Sequence, residues 1–79
     1  MRVQIFVRLK PGVLDVQGKA VEHSLQELEG ARASQVRIGR LIELDVDAPS
    51  QDAAKARVDE LCQRVLVNTI IESYEIKFV

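Results

Sequence analysis

Among 79 residues the chain has one cysteine, one histidine, one tyrosine, two phenylalanines and no tryptophan. A lone cysteine excludes an internal disulfide, the usual brace of a small secreted domain. Aromatics at 4% leave no stacking platform of the kind that reads single-stranded RNA. Charge of one sign is not in excess either, since 11 Lys and Arg face 12 Asp and Glu for a net charge of −1. That balance argues against general affinity for nucleic acid or an anionic membrane. No apolar run approaches the roughly 18 residues of a spanning helix. The first residues, Met1 to Arg8, alternate polar and apolar instead of forming a signal peptide's apolar stretch. A reduced, cytoplasmic setting is therefore expected, with no nucleic acid and no membrane as partners. Neither a Walker loop nor a G-x-G-x-x-G fingerprint occurs.

What is present suits one folded unit over residues 1–79, with 47% hydrophobic residues. Surface scaling for this length leaves only about 63% of the chain's area buried on folding. A core that thin, without a disulfide, favours an oligomer. The hydrophobic pattern reads strand, helix, strand, helix, strand. Val3, Ile5, Val7 and Leu9 alternate along a first strand from Arg2 to Lys10, which Pro11-Gly12 ends. Asp15 is placed to cap a helix running to about Glu29, accepting from Gln17 and Gly18, with Val21, Leu25 and Leu28 as its buried stripe and Gly30 as its stop. Alternation returns over Gln35 to Asp47, a run of roughly 40 Å at 3.3 Å per residue. Such length predicts a bend or bulge at Gly39-Arg40. Ser50 caps a second helix to about Val67, burying Ala54, Val58, Leu61, Cys62 and Val65, and Asn68 closes it in a left-handed conformation. Ile70 to Val79 forms the last strand. The expected fold is α+β: a ferredoxin-like two-layer sandwich, two helices on one face of an antiparallel sheet, with a long bent middle strand.

Residues suited to catalysis are few. His23 falls on the polar side of the first helix, near Glu27, and reads as a surface residue. Cys62 reads as a buried structural thiol. Glu43, Asp45 and Asp47 share one strand face, where successive carboxylates stand nearly 7 Å apart and diverge from a common metal ion. No catalytic, cofactor or metal residue is nominated. The open sheet face is more informative, because it leaves Phe6, Leu41 and Ile71 among Arg2, Gln4 and Arg8, an apolar centre with a polar rim. These three residues, with Arg37 and Arg40 beside the long strand, are the candidate interface. Burial of the face between copies predicts at least a dimer. A competing reading is a regulatory module of the same fold, binding an amino acid or nucleotide between subunits, with Pro11–Asp15 and the first helix N-terminus able to hold an anion. Asp15 argues against it, because its own carboxylate fills that position.

Three blocks carry a resemblance that spans essentially the whole chain. Val13-Leu14-Asp15-Val16-Gln17-Gly18-Lys19-Ala20-Val21 resembles the loop and first helix of the PurS family, small subunits of phosphoribosylformylglycinamidine synthase. Val36-Arg37-Ile38-Gly39-Arg40 is similar to that family's middle-strand block. Leu61-Cys62, Leu66, Asn68-Thr69-Ile70-Ile71-Glu72 and Tyr74 are similar to its junction of second helix and last strand. Val16 and Thr69 stand where the family often carries proline. The resemblance implies a non-catalytic subunit that brings together a large synthetase subunit and a glutaminase subunit. The complex would convert formylglycinamide ribonucleotide, glutamine and ATP to formylglycinamidine ribonucleotide in purine synthesis. ATP and magnesium would belong to the large partner, and the small subunit would be a homodimer or a dimer of dimers.

Overall fold

A computed structural model describes residues 1–79. The order is β1 (Arg2–Leu9), α1 (Val16–Gln26), β2 (Arg40–Asp45), α2 (Gln51–Leu61) continuing into a π-helical turn (Cys62–Leu66), then β3 (Glu72–Phe78). The three strands form an antiparallel sheet ordered β2-β1-β3, with Ile5 opposite Ile42 on one side and Ile76 on the other. This is the expected α+β plan. Period-two alternation puts Val3, Ile5 and Val7 of the central strand on the core side, each at most 1% exposed. They meet Ala54 and Val58 of α2 and Cys62 of the π-helical turn, with Val46 and Val67 completing the buried cluster. Full burial of an aliphatic side chain of this size is worth about 1.5–3 kcal/mol, so this small cluster carries most of the packing.

Local chemistry explains the element ends. Val13 N donates to Lys10 O, with Pro11 and then Gly12 at φ +88° between them, a type II turn that needs glycine at its third position. Ser50 caps α2 through Ala53 N at 3.2 Å, as expected. Beyond α2 the helix widens, and Val67 N reaches Cys62 O, five residues back. The extra residue rotates the following positions. Cys62 stays buried, but Val65, expected on the same stripe, is 77% exposed and Val67 turns inward.

The long middle strand does not form as expected. Only Arg40–Asp45 joins the sheet, and the strand begins where the bend was anticipated. Residues 36–39 stay outside the ladder, and side chains have taken two of their donors: Val36 N donates to Glu22 and Ile38 N to Asp15. The last strand likewise starts at Glu72, since residues 68–71 form a turn. Asn68 closes α2 with its side chain, accepting from Ile70 N, and without a left-handed backbone.

Helix α1 departs most. It ends at Gln26, three residues short of the expected end. Its stripe is not buried: Val21 is 40% and Leu28 61% exposed, with only Leu25 half-covered. No residue of α1 belongs to the core cluster. The molecule measures 52 × 25 × 14 Å with a radius of gyration of 16.0 Å, against about 12 Å for a compact chain of this length.

Candidate functional site

The three sequence blocks singled out above converge at one end of the sheet. Asp15 is the pivot: Oδ1 accepts from Gly18 N at 2.7 Å, capping α1, and Oδ2 accepts from Ile38 N at 2.7 Å. Gln17, expected as a second capping donor, is not among its partners. Those two backbone donors, Ile38 first, hold the Asp15 carboxyl below the usual carboxylate range, with Arg37 adding to the effect. Arg37 reaches back to Val13 O at 3.1 Å and Lys10 O at 3.2 Å. Loop, helix start and the 35–39 segment are thereby one hydrogen-bonded unit.

Arg40 performs the equivalent task on the other side. Its guanidinium spans the end of β1, donating to Leu66 O at 2.9 Å and to Glu72 at 2.9 Å. Glu72 in turn accepts from Asn68 N at 2.8 Å. The Arg40 hydrogen bond, then the Asn68 donor, keep the Glu72 carboxyl low. Lys10 joins the same end through Thr69 O at 2.7 Å.

Phe6, Arg37, Arg40 and Leu41 line one shallow depression of about 300 Å³ between β1 and the 37–41 segment. Ile71 does not line it. It lies in the turn before β3 and is 38% exposed. Phe6 and Leu41 face each other across β1 and β2, and Lys77 stands 5.1 Å above the Phe6 ring. Around this apolar pair run ion pairs from Arg2 to Glu43 and Asp45, each 3.5 Å, and from Arg8 to Glu75. The apolar centre with a charged rim is therefore real but small. Glu43 and Asp45, weighed as metal ligands, are instead partners of Arg2, and no group of three metal-type side chains converges in the fold.

A larger depression of about 640 Å³ opens beside it, with Arg8, Lys19, Asp15, Glu22 and Arg37 in its walls. Its carboxylates and Arg37 already hold backbone groups, and Asp15 occupies the N-terminus of α1 where an anion would sit. His23 pairs with Glu27 at 3.4 Å on the exposed side of α1. Burial pushes the Cys62 thiol up, with the Asp59 charge adding to it, the opposite of an activated nucleophile. On the outer side of α2, Tyr74 O–H donates to Asp59 and accepts from Gln63 at 3.0 Å. The Asp59 hydrogen bond raises the Tyr74 pKa. Sequence reasoning missed this trio, because Asp59 and Tyr74 lie 15 residues apart with nothing local to link them. It also missed exposed Ile70 and Val65, 83% and 77% accessible at the π-helical end.

A model of the family PurS, phosphoribosylformylglycinamidine (FGAM) synthase, matches residues 2–79. A PurS subunit of Synechocystis is 46% identical over 71 residues, covering 90% of this chain and 71% of the relative. The solved PurS of Bacillus subtilis superposes with a TM-score of 0.83 at 38% identity, over 96% of this chain and 94% of that one. A chain in the structure of PurLQS from Thermotoga maritima superposes with a TM-score of 0.91 at 31% identity, over 99% of this chain and 95% of that one.

Proposed function

This chain belongs to the PurS family of FGAM synthase subunits, and from that premise we propose that it assembles a synthetase subunit with a glutaminase subunit. The complex makes formylglycinamidine ribonucleotide from formylglycinamide ribonucleotide, glutamine and ATP in purine biosynthesis. The observation that carries this reading is the match, over nearly the full length of both chains, to a chain of the PurLQS assembly.

On this reading the chain contributes contacts and no catalytic residue. The synthetase subunit binds ATP and magnesium, the glutaminase releases ammonia, and all work in the cytoplasm. The polar groups with shifted pKa values support this division. Asp15 and Glu72 hold backbone and arginine donors, and Cys62 is buried and protonated. The chain self-associates as a homodimer or a dimer of dimers. The open sheet face around Phe6 and Leu41, with Ile71 at the end of that surface, is the contact between copies. Arg37 and Arg40 shape the surface by holding its loops, and their exposed guanidinium edges suit bidentate pairing with a partner's carboxylates.

Gel filtration of the purified chain with its synthetase and glutaminase partners, in the presence of ATP and glutamine, tests the reading. Co-elution of all three supports it, as does a lack of ATPase and glutaminase activity in the chain alone. Separate elution of this chain under those conditions overturns it.

A further inference from the structure

At the end of the sheet where the second helix gives way to β3, two large apolar side chains stand in solvent. Val65 is 77% and Ile70 83% exposed. Neither position is loose. The π-helical turn over Cys62–Leu66 sends Val65 outward, where regular helical spacing from Val58 and Cys62 would have buried it. Widened turns of this kind recur at functional sites. Ile70 sits in a turn built on Asn68, whose Oδ1 accepts from Ile70 N at 3.2 Å and whose carbonyl accepts from Ile71 N and Glu72 N. Arg40 grips both flanks of that turn, at Leu66 O and Glu72, and Lys10 binds Thr69 O inside it. Both side chains are thus displayed from a braced segment, which lowers the ordering cost of docking.

The free charge around them has one sign. Lys10, Arg37, Arg40 and Arg64 are all exposed at this end. The carboxylates beside them are engaged: Asp15 and Glu72 accept from backbone N–H groups, Glu60 from Arg64 at 3.3 Å, and Asp59 from Tyr74. At the opposite end, where β1 begins and β2 finishes, the excess is acidic, with Glu43, Asp45 and Asp47 about Arg2. A net charge of −1 therefore conceals a basic end with an apolar centre.

We propose that this end, centred on Val65 and Ile70, docks a partner subunit of the synthase whose matching surface is apolar and ringed by carboxylates. Charge complementarity selects that chemistry, and arginine forks pair with carboxylates two bonds at a time. A second copy is the wrong occupant. Seating the acidic end of one copy on the basic end of another is a head-to-tail contact, which cannot close a homodimer. The surface also lies apart from the open sheet face around Phe6 and Leu41, since Val65 and Ile70 belong to no strand.

The inference rests on the assembly reading above and names the surface that the assembly uses. Its test titrates purified synthetase and glutaminase, with ATP and glutamine, into methyl-labelled wild-type chain. The expected result is a shift of the Val65 and Ile70 methyl signals as the complex forms. The double variant Val65→Ser/Ile70→Ser should bind the partners at least about 30-fold more weakly, with its urea unfolding and its own oligomeric state unchanged. Arg64→Glu should weaken binding about tenfold, and less so as salt rises. A complex that forms with the Val65 and Ile70 methyls unmoved, or with full affinity in the double variant, overturns the docking surface and leaves the assembly reading standing. Loss of the chain's own oligomer in the double variant overturns it too, because the surface would then lie between copies. A wild-type chain that binds neither partner overturns the assembly reading and this inference together.

Discussion

The Asp15 carboxylate serves two segments at once, one oxygen for Gly18 N and one for Ile38 N. Only the first was legible in the sequence, from a capping residue three positions before its donor. The second partner lies 23 residues away, and no local pattern announces it. Asp15 and Glu72 both titrate lower in the folded chain than in the unfolded one. As pH falls the unfolded state therefore binds these protons first. Their stabilisation is complete above the ordinary carboxyl values of about 3.9 and 4.3, and it is lost as pH falls through the lower folded values. Urea unfolding between pH 6 and pH 2 should show stability falling below about pH 4. Asp15→Asn/Glu72→Gln should flatten that limb, and parallel curves for variant and wild type would refute the assignment. Gly39 illustrates a close approach that sequence marks only as a glycine. A Cβ there would lie 2.4 Å from Val7 O, backbone that cannot give way cheaply. Gly39→Ala should cost about 1–3 kcal/mol in the same assay, and a neutral result would show that β1 can shift. Cys62→Ala should cost about 1–2 kcal/mol by lost packing, with no effect on turnover of the assembled synthase.

At the scale of elements, strands read better than helices. Period two placed β1 to within one residue and β3 to within two, since each strand's core side is set by alternation alone. The middle segment kept its alternation through residues 35–39 yet left the ladder, because Asp15 and Glu22 compete for its N–H groups. Spacing of three and four found both helices but assumed a regular α-helix to Val67, and the π-helical turn moved Val65 into solvent. The nominated arginines lie together at one end of the sheet, where Arg40 ties the start of β2 to Leu66 and Glu72. Replacement by alanine removes these half-exposed bonds, and chemical denaturation should register a loss of about 1 kcal/mol. Arg40→Glu should cost more, because the new carboxylate would face Glu72. An Arg40→Ala variant as stable as wild type would mean that the bridge contributes nothing.

The whole molecule is elongated, with a thin core, an uncovered helix and catalytic-type side chains committed to structure. Composition alone anticipated the thin core. The exposure of α1 was not legible, because it depends on tertiary contacts that no periodicity records. No helix is long and apolar enough to cross a membrane. The central claim is that this chain acts by completing an assembly, and glutamine-dependent synthesis in a reconstituted mixture tests it most directly. Purified synthetase and glutaminase should form formylglycinamidine ribonucleotide from formylglycinamide ribonucleotide, ATP and glutamine only when this chain is added, with the rate saturating at a fixed stoichiometry. Full glutamine-dependent activity of the two partners without it would contradict the account.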